Sequence, residues 1–193
     1  FLFNTERHGS ENQSVLYVRE NGGAPRVLID PNTLDADGLI SLDWWTPSRD
    51  GTMLAFGISR AGDEKSDLHV IHTRSGEWTS TELPGKVSFG GWTPAGDAFL
   101  YSQLDDPDDP YSRSVRWHTI GRNRKHDEVL ATQTEPSRIP YGSLSFDGQW
   151  ITLGLSDGWG INDLWLANVA EWKQKGALER RPIAVGKKAQ FRV

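Results

Sequence analysis

One short pattern occurs three times along the chain, at residues 45–56 (WTPSRDGTMLAF), 92–101 (WTPAGDAFLY) and 144–153 (LSFDGQWITL). In each copy an aromatic residue precedes a turn that contains Asp and Gly, and an apolar strand follows the turn. The period is roughly 45–50 residues, the size of one four-stranded propeller blade. The repeat therefore predicts an all-β fold, a partial β-propeller of four-stranded antiparallel blades.

Further short strands surround the three copies. Residues 14–18 and 26–29 predict a hairpin across the turn at residues 21–23. The apolar run 53–58 predicts a strand buried on both faces, and a second, amphipathic strand follows each copy, at residues 67–72, 114–120 and 162–168. Residues 168–176 have a helix-like composition, but we interpret them as a loop that joins the outer strands of a blade.

Composition excludes several classes of protein. The 193 residues suit one domain, residues 1–193, and with Phe at position 1 we expect a piece of a longer protein. The absence of Cys excludes disulfides, zinc–thiolate sites and Cys nucleophiles. A formal charge of −5 argues against nucleic acid as a partner. No apolar run is long enough to span a membrane, so we expect no membrane partner.

Several stretches resemble the early propeller of prolyl oligopeptidases, a family of serine peptidases. They are residues 12–18 (NQSVLYV), 26–34 (RVLIDPNTL) and 42–51 (LDWWTPSRDG), and a weaker resemblance persists through 162–166 (NDLWL). The resemblance implies that about four of the family's seven blades are present. It also implies a parent enzyme that cleaves short peptides after proline, in a cytoplasmic or, alternatively, a periplasmic location.

In this family the propeller caps a separate α/β-hydrolase domain and restricts access to short peptides. That hydrolase domain carries the nucleophilic Ser, the Asp and the His. The resemblance therefore implies two partners, the hydrolase domain and short peptide substrates. Nothing in the chain resembles the hydrolase domain, so we assign no catalytic, cofactor-binding or metal-binding residue. Some family members extend an Arg from the propeller towards the peptide, and the corresponding positions here fall near Asp43 and Asp163, which reverses the charge.

Two other functions stay open. The parent could resemble oligopeptidase B, a relative with the same architecture that cleaves after basic residues. The chain could also be a stand-alone propeller that serves as a scaffold for protein partners, because the fold alone does not define a function. In every case an incomplete ring leaves blade faces bare, and we expect self-association through them.

Residues 154–158 match G-x-S-x-G, the nucleophile-elbow pattern of hydrolases. That elbow requires a strand before the Ser and a helix after it, whereas a turn and another strand are expected after Ser156. The same place in an earlier copy is Ser59. We therefore interpret both serines as equivalent residues near the end of a strand rather than as nucleophiles.

The remaining candidates have simpler structural interpretations. His69 and His72 lie three apart on a strand and would point to opposite faces, and His8, His118 and His126 lack neighbours at metal-ligand spacing. The acidic residues 105–109 lack the spacing of a calcium loop and are expected to form a solvated loop. Asn12 fits a glycosylation acceptor, which we interpret as incidental. The repeated tryptophans are expected to pack between blades; they are Trp44, Trp45, Trp92, Trp150 and Trp165. The repeated aspartates are expected to stabilise turns; they are Asp50, Asp97 and Asp147.

Overall fold

The computed structural model describes residues 1–9, 11–35 and 37–192. Its chain divides into two compact units, Phe1–Lys86 and Val87–Val193. Each unit contains two antiparallel sheets whose strands follow one another in chain order. Among the described residues, no helix is long and apolar enough to cross a bilayer.

The first unit begins with a three-stranded sheet of β1 (Leu2–Glu6), β2 (Val15–Arg19) and β3 (Arg26–Ile29). The one-turn helix α1 (Pro31–Leu34) leads into a four-stranded sheet of β4 (Ile40–Pro47), β5 (Met53–Arg60), β6 (Asp67–His72) and β7 (Trp78–Leu83).

The second unit contains two four-stranded sheets. The first has β8 (Ser88–Trp92), β9 (Ala98–Leu104), β10 (Arg113–Thr119) and β11 (Glu128–Thr132), with a 3-10 turn at Arg124–His126. The next has β12 (Arg138–Leu144), β13 (Trp150–Asp157), β14 (Ile161–Asn168) and β15 (Arg181–Ala184), with helix α2 (Val169–Lys175) before β15.

The predicted blades are therefore confirmed, with one difference at the first sheet. That sheet has three strands among the described residues, not four. Its last strand, β3, precedes β4 with only the one-turn helix α1 between them, just as β7 precedes β8 and β11 precedes β12. The three strands thus correspond to the second, third and fourth strands of the other sheets.

The interpretation of residues 168–176 as a loop was wrong. The Asn168 side chain accepts a hydrogen bond from the Glu171 N–H at 3.0 Å, and Gly176 ends the helix with a φ of 69°. Trp172 is 5% exposed and packs edge-on against Trp117 at 5.4 Å between ring centroids. These two caps and one buried aromatic residue stabilise a helix that is only seven residues long.

Each unit has an apolar core between its two sheets. In the first unit the core contains Leu16, Val18, Leu54, Phe56 and Ile71. In the second it contains Leu100, Val115, Ile151, Leu153 and Trp172. The repeat thus stabilises the fold as expected, because a sheet that could not bury both faces alone buries one against its neighbour.

The first strands of the two sheets in the second unit approach each other unusually closely. A Cβ atom on Gly90 of β8 would lie 2.7 Å from the carbonyl oxygen of Gly142 on β12. Real Cβ atoms do not approach so closely, so only glycine fits there. Such convergence of first strands is the geometry expected near the axis of a propeller.

Candidate functional site

Ser156 has the structural context that the sequence predicts. It is the next-to-last residue of β13, as Ser59 is of β5. The Ser156 hydroxyl lies 3.4 Å from the carbonyl oxygen of Gly158, and the chain then enters β14 rather than a helix. The nucleophile-elbow geometry is therefore missing, and the absence of catalysis by Ser156 stays a prediction.

Asp43 and Asp163, near which the resemblance places the propeller Arg of some family members, have hydrogen-bond partners inside their own units. Asp43 accepts hydrogen bonds from the hydroxyls of Ser59, at 2.9 Å, and Ser66. Asp163 is 8% exposed, forms an ion pair with Arg138 and accepts a hydrogen bond from the Gly186 N–H at 2.7 Å. Both side chains thus connect neighbouring segments of their own units.

A buried polar cluster in the second unit was not expected from the sequence. His118 Nδ1 lies 2.9 Å from Asp127 Oδ1, and the Tyr101 hydroxyl donates to Asp127 Oδ2 at 2.7 Å. Burial, together with the hydrogen bond to the Asp127 carboxylate, raises the pKa of Tyr101 far above its ordinary value. Tyr101 and His118 are each 1% exposed, so this cluster is closed to a substrate and stabilises the sheet.

His69 and His72 lie on opposite faces of β6, as predicted. The His69 ring packs 4.9 Å from the Trp78 ring and 5.6 Å from the Phe56 ring, whereas His72 is exposed at the end of the strand. Burial lowers the pKa of His69. Over residues 1–9, 11–35 and 37–192, no three side chains of the metal-ligating types come together.

His69 also borders a cavity of about 280 Å³ in the first unit. Asp67 lines the same cavity, and burial raises the pKa of its carboxyl group. The nearby charges of Glu82 and Asp63 raise this pKa further, and together they outweigh the opposing effect of a hydrogen bond from the Gly85 N–H. Arg60 at the rim is already paired with Asp35 at 2.9 Å. The cavity therefore combines acidic and basic groups, with the Ser59 hydroxyl at its wall.

The remaining histidines occupy the surface of their units. His8 is exposed, with its Nε2 3.0 Å from Glu6 Oε2, and His126 is exposed on the 3-10 turn. Asn12 is exposed between β1 and β2, and its modification stays untested.

The acidic residues 105–109 form a loop, and their carboxylates accept hydrogen bonds from groups in or next to this loop. Burial alone would raise the pKa of Asp105, but hydrogen bonds from Arg116, Ser114 and Gln103 hold this pKa below its ordinary value. Asp106 and Asp109 are exposed and accept hydrogen bonds from backbone N–H groups two residues further along. The prediction of a solvated loop is confirmed for this stretch.

The repeated tryptophans pack in different ways. Trp45 contacts Phe3 of the neighbouring sheet at 5.9 Å, which confirms packing between sheets for this residue. Trp44 instead covers Gly57 on the adjacent strand, and Trp92 packs on Phe99 of its own sheet at 5.2 Å. Trp150 and Trp165 are half-buried on β13 and β14.

The repeated aspartates lie in the predicted turns. Asp50 and Asp147 each accept a hydrogen bond at 3.0 Å from the backbone N–H two residues further along. Asp97 differs, because its carboxylate accepts a hydrogen bond from the Thr93 hydroxyl at 2.6 Å. All three therefore act as turn residues.

Trp159 and Arg113 lie outside the repeated patterns of the sequence. Trp159 is fully exposed at the turn between β13 and β14, at 100% of its accessible surface. Arg113, at the start of β10, is half-buried without an ion pair among the described residues. A Trp between two glycines is visible in the sequence, whereas the half-burial of Arg113 depends on how its strand packs.

The sheets of four-stranded antiparallel type define a class, a partial β-propeller. Residues 1–191 match the family described as the N-terminal β-propeller domain of prolyl oligopeptidase, and the chain belongs to that family.

The relatives that the chain resembles are longer than the chain itself. The prolyl endopeptidase of Elizabethkingia miricola is 26% identical over 170 residues, which cover 83% of this chain and 24% of that protein. One solved prolyl endopeptidase structure is 30% identical, with a TM-score of 0.86, and covers 96% of this chain and 28% of its own. Oligopeptidase B of Leishmania major shares the fold, with a TM-score of 0.72 at 16% identity, over 92% of this chain and 26% of its own. The chain thus spans about a quarter of the length of the relatives it matches.

Proposed function

We propose that this chain is the access-controlling propeller of a serine endopeptidase that cleaves short peptides after proline. Its partners in this proposal are the α/β-hydrolase domain of the same parent protein and the short peptide substrates. The observation that carries the proposal is the match of residues 1–191 to the N-terminal propeller domain of prolyl oligopeptidase.

The local geometry supports a role in access rather than in bond cleavage. Ser156 precedes a strand, and His118 is bound to Asp127 inside the sheet. Acyl transfer needs a nucleophile, a base and an oxyanion hole in one place, and the described residues do not bring these together. In this proposal the chemistry is supplied by the hydrolase domain, and the propeller limits the size of what reaches it.

The test uses the full-length parent and one proline bond in two settings. The first substrate is a short chromogenic peptide, and the second is the same peptide embedded in a long unfolded polypeptide. The proposal expects efficient cleavage of the short peptide and strongly reduced cleavage of the long one. A serine endopeptidase with an open cleft, which should cleave both, is the control. Equal cleavage of both substrates by the parent would overturn the role in access.

The cytoplasmic location stays a prediction, with the periplasm as its alternative. Fractionation of cells that express the full-length parent from its natural gene tests it. Recovery with a periplasmic marker enzyme would contradict the cytoplasmic location.

A further inference from the structure

The cavity of about 280 Å³ in the first unit lies on one face of the sheet formed by β4 to β7. Asp67 of β6 is directly opposite Ile58 of β5. Glu82 of β7 is directly opposite His69 of β6. Side chains paired in this way point to the same face, with about 4.5–5.5 Å between their Cβ atoms. Since alternate residues of a strand share a face, Asp67 and His69 also project together, and three neighbouring strands build the cavity.

This face of the sheet changes character along its length. Leu54 and Phe56 belong to the apolar core of the unit, and they precede Ile58 on the same face of β5. Ile58 and Ile40 line the cavity together with the charged side chains. The cavity therefore has an apolar wall next to a polar one, which suits a ligand with a charged head and a short hydrocarbon chain.

The charged groups in and next to the cavity carry an excess of negative charge. Among the described residues, three carboxylates and two cationic side chains line it: Asp63, Asp67 and Glu82, and Arg60 and Lys65. Two further carboxylates contact the lining residues from outside. Asp35 pairs with Arg60 at 2.9 Å, and Asp43 accepts a hydrogen bond from the Ser59 hydroxyl at 2.9 Å. Carboxylates therefore remain in excess whichever of them Lys65 contacts.

Asp67 and His69 are both affected by their position in this cavity. Burial raises the pKa of Asp67, and the charges of Glu82 and Asp63 raise it further, so these carboxylates lie close enough to act on one another. Burial lowers the pKa of His69, which favours its neutral ring. A neutral imidazole has one unprotonated nitrogen that accepts a hydrogen bond. The polar wall of the cavity therefore offers acceptors to a cation that carries N–H groups.

We propose that this cavity binds the ammonium group of a small alkylamine, either a free amine or the side chain of a lysine in a peptide. An ammonium group has three N–H donors and no acceptor, which matches Asp67, Glu82 and His69. Ile40 and Ile58 contact the alkyl chain. The volume of about 280 Å³ lies at the lower end of small-molecule sites, so the ligand is small. The proposal concerns binding alone and does not depend on the peptidase activity of a parent protein.

The experiment measures binding to the 193-residue chain by isothermal titration calorimetry. Three probes are compared: butylammonium chloride, acetyl-lysine amide and tetramethylammonium chloride. Sodium chloride at matched ionic strength is the control for non-specific effects of salt. We expect saturable binding of both amines. Tetramethylammonium has the same charge but no N–H donor, so it should bind at least about tenfold more weakly.

The two amines distinguish the two sources of the ammonium group. Tighter binding of acetyl-lysine amide assigns the cavity to lysine side chains of peptides. Equal or tighter binding of butylammonium assigns it to free amines. Tetramethylammonium binding as tightly as the amines, or no saturable binding of either amine, would overturn the proposal.

Three variants test the location of the site. Asp67→Asn keeps an oxygen that can accept the hydrogen bond from the Gly85 N–H but removes the charge, so it should weaken amine binding about tenfold or more. Glu82→Gln removes an exposed carboxylate and should weaken binding about threefold, which keeps the test available if Asp67→Asn does not fold. Glu77→Gln, at an exposed glutamate of the same unit outside this cavity, should bind like the unaltered chain. Unchanged affinity in both cavity variants would overturn the proposal.

Discussion

The ring of Tyr141 occupies the space where a side chain of Gly154 would lie. The two residues are directly opposite on β12 and β13, and a Cβ atom on Gly154 would be 2.1 Å from Tyr141 Cζ. The Tyr141 hydroxyl also accepts a hydrogen bond from Asn162 Nδ2 at 2.6 Å, which fixes the ring in place. The first unit repeats this arrangement with Trp44 over Gly57, so an aromatic ring over a cross-strand glycine belongs to the repeat.

Replacing Gly154 by Ala should therefore destabilise the second unit. The added methyl group meets a ring that is held by a hydrogen bond, and overpacking of this kind costs about 1–3 kcal/mol. Urea denaturation monitored by circular dichroism gives the change in the free energy of unfolding. Gly160→Ala is the matched control, because nothing lies within 4 Å of its added Cβ atom. Equal stability of the two variants would show that the ring moves aside freely.

Stability should fall in alkaline solution because of Tyr101. Its pKa is raised in the folded chain, through burial and the hydrogen bond to Asp127, above the ordinary value of 10.0 that applies when the chain is unfolded. Above that pH the unfolded chain loses the phenolic proton while the folded chain retains it, so each further pH unit should cost about 1.4 kcal/mol.

The measurement for Tyr101 is the free energy of unfolding between neutral pH and pH values above 10, for the unaltered chain and for Tyr101→Phe. The variant should be less stable at neutral pH, where the hydrogen bond is lost, and should show a shallower decline above the ordinary tyrosine pKa. Parallel curves for the two chains would contradict the assignment.

Ser156→Ala should change the stability by less than about 0.5 kcal/mol, because the hydroxyl has only a long contact with the Gly158 carbonyl oxygen. The isolated chain should show no turnover of proline-containing chromogenic peptides before or after this substitution. Reproducible turnover that the substitution abolishes would establish Ser156 as a nucleophile.

The chain should self-associate at micromolar concentration. In a closed propeller every blade face is covered by a neighbour, whereas apolar side chains are exposed here on the first and last sheets, including Leu2 at 62% and Ile183 at 50%. Light scattering should show dimers or larger species, and Leu2→Lys should shift them towards the monomer. A sharply monomeric species that binds no hydrophobic dye would contradict this prediction.

The repeated turns made the sheets predictable, because each copy places a hydroxyl residue and an acidic residue before an apolar strand. Ser145 and Asp147, for example, fix the start of β13 through contacts within six residues of sequence. Helix α2 was missed because its stability depends on Trp172 meeting Trp117, which is 55 residues away in the 193-residue sequence.

The polar clusters could not be predicted for the same physical reason. Asp127 meets Tyr101 across 26 positions of sequence, and no local pattern marks either residue. The burial that lowers the pKa of Arg113 likewise depends on how the strands pack. The structure around Ser156 could be predicted from the sequence, because the residues that follow it, up to Asn162, favour a turn and a strand.

The most direct test of the proposed function is product analysis by mass spectrometry on one peptide that contains both a Pro–X and an Arg–X bond. The full-length parent and the isolated 193-residue chain are incubated with this peptide side by side. We expect the parent to cleave after proline and the isolated chain to leave the peptide intact. Cleavage by the parent after arginine alone would indicate an enzyme like oligopeptidase B, and no cleavage by the parent would indicate a scaffold. Either result contradicts the proposed function.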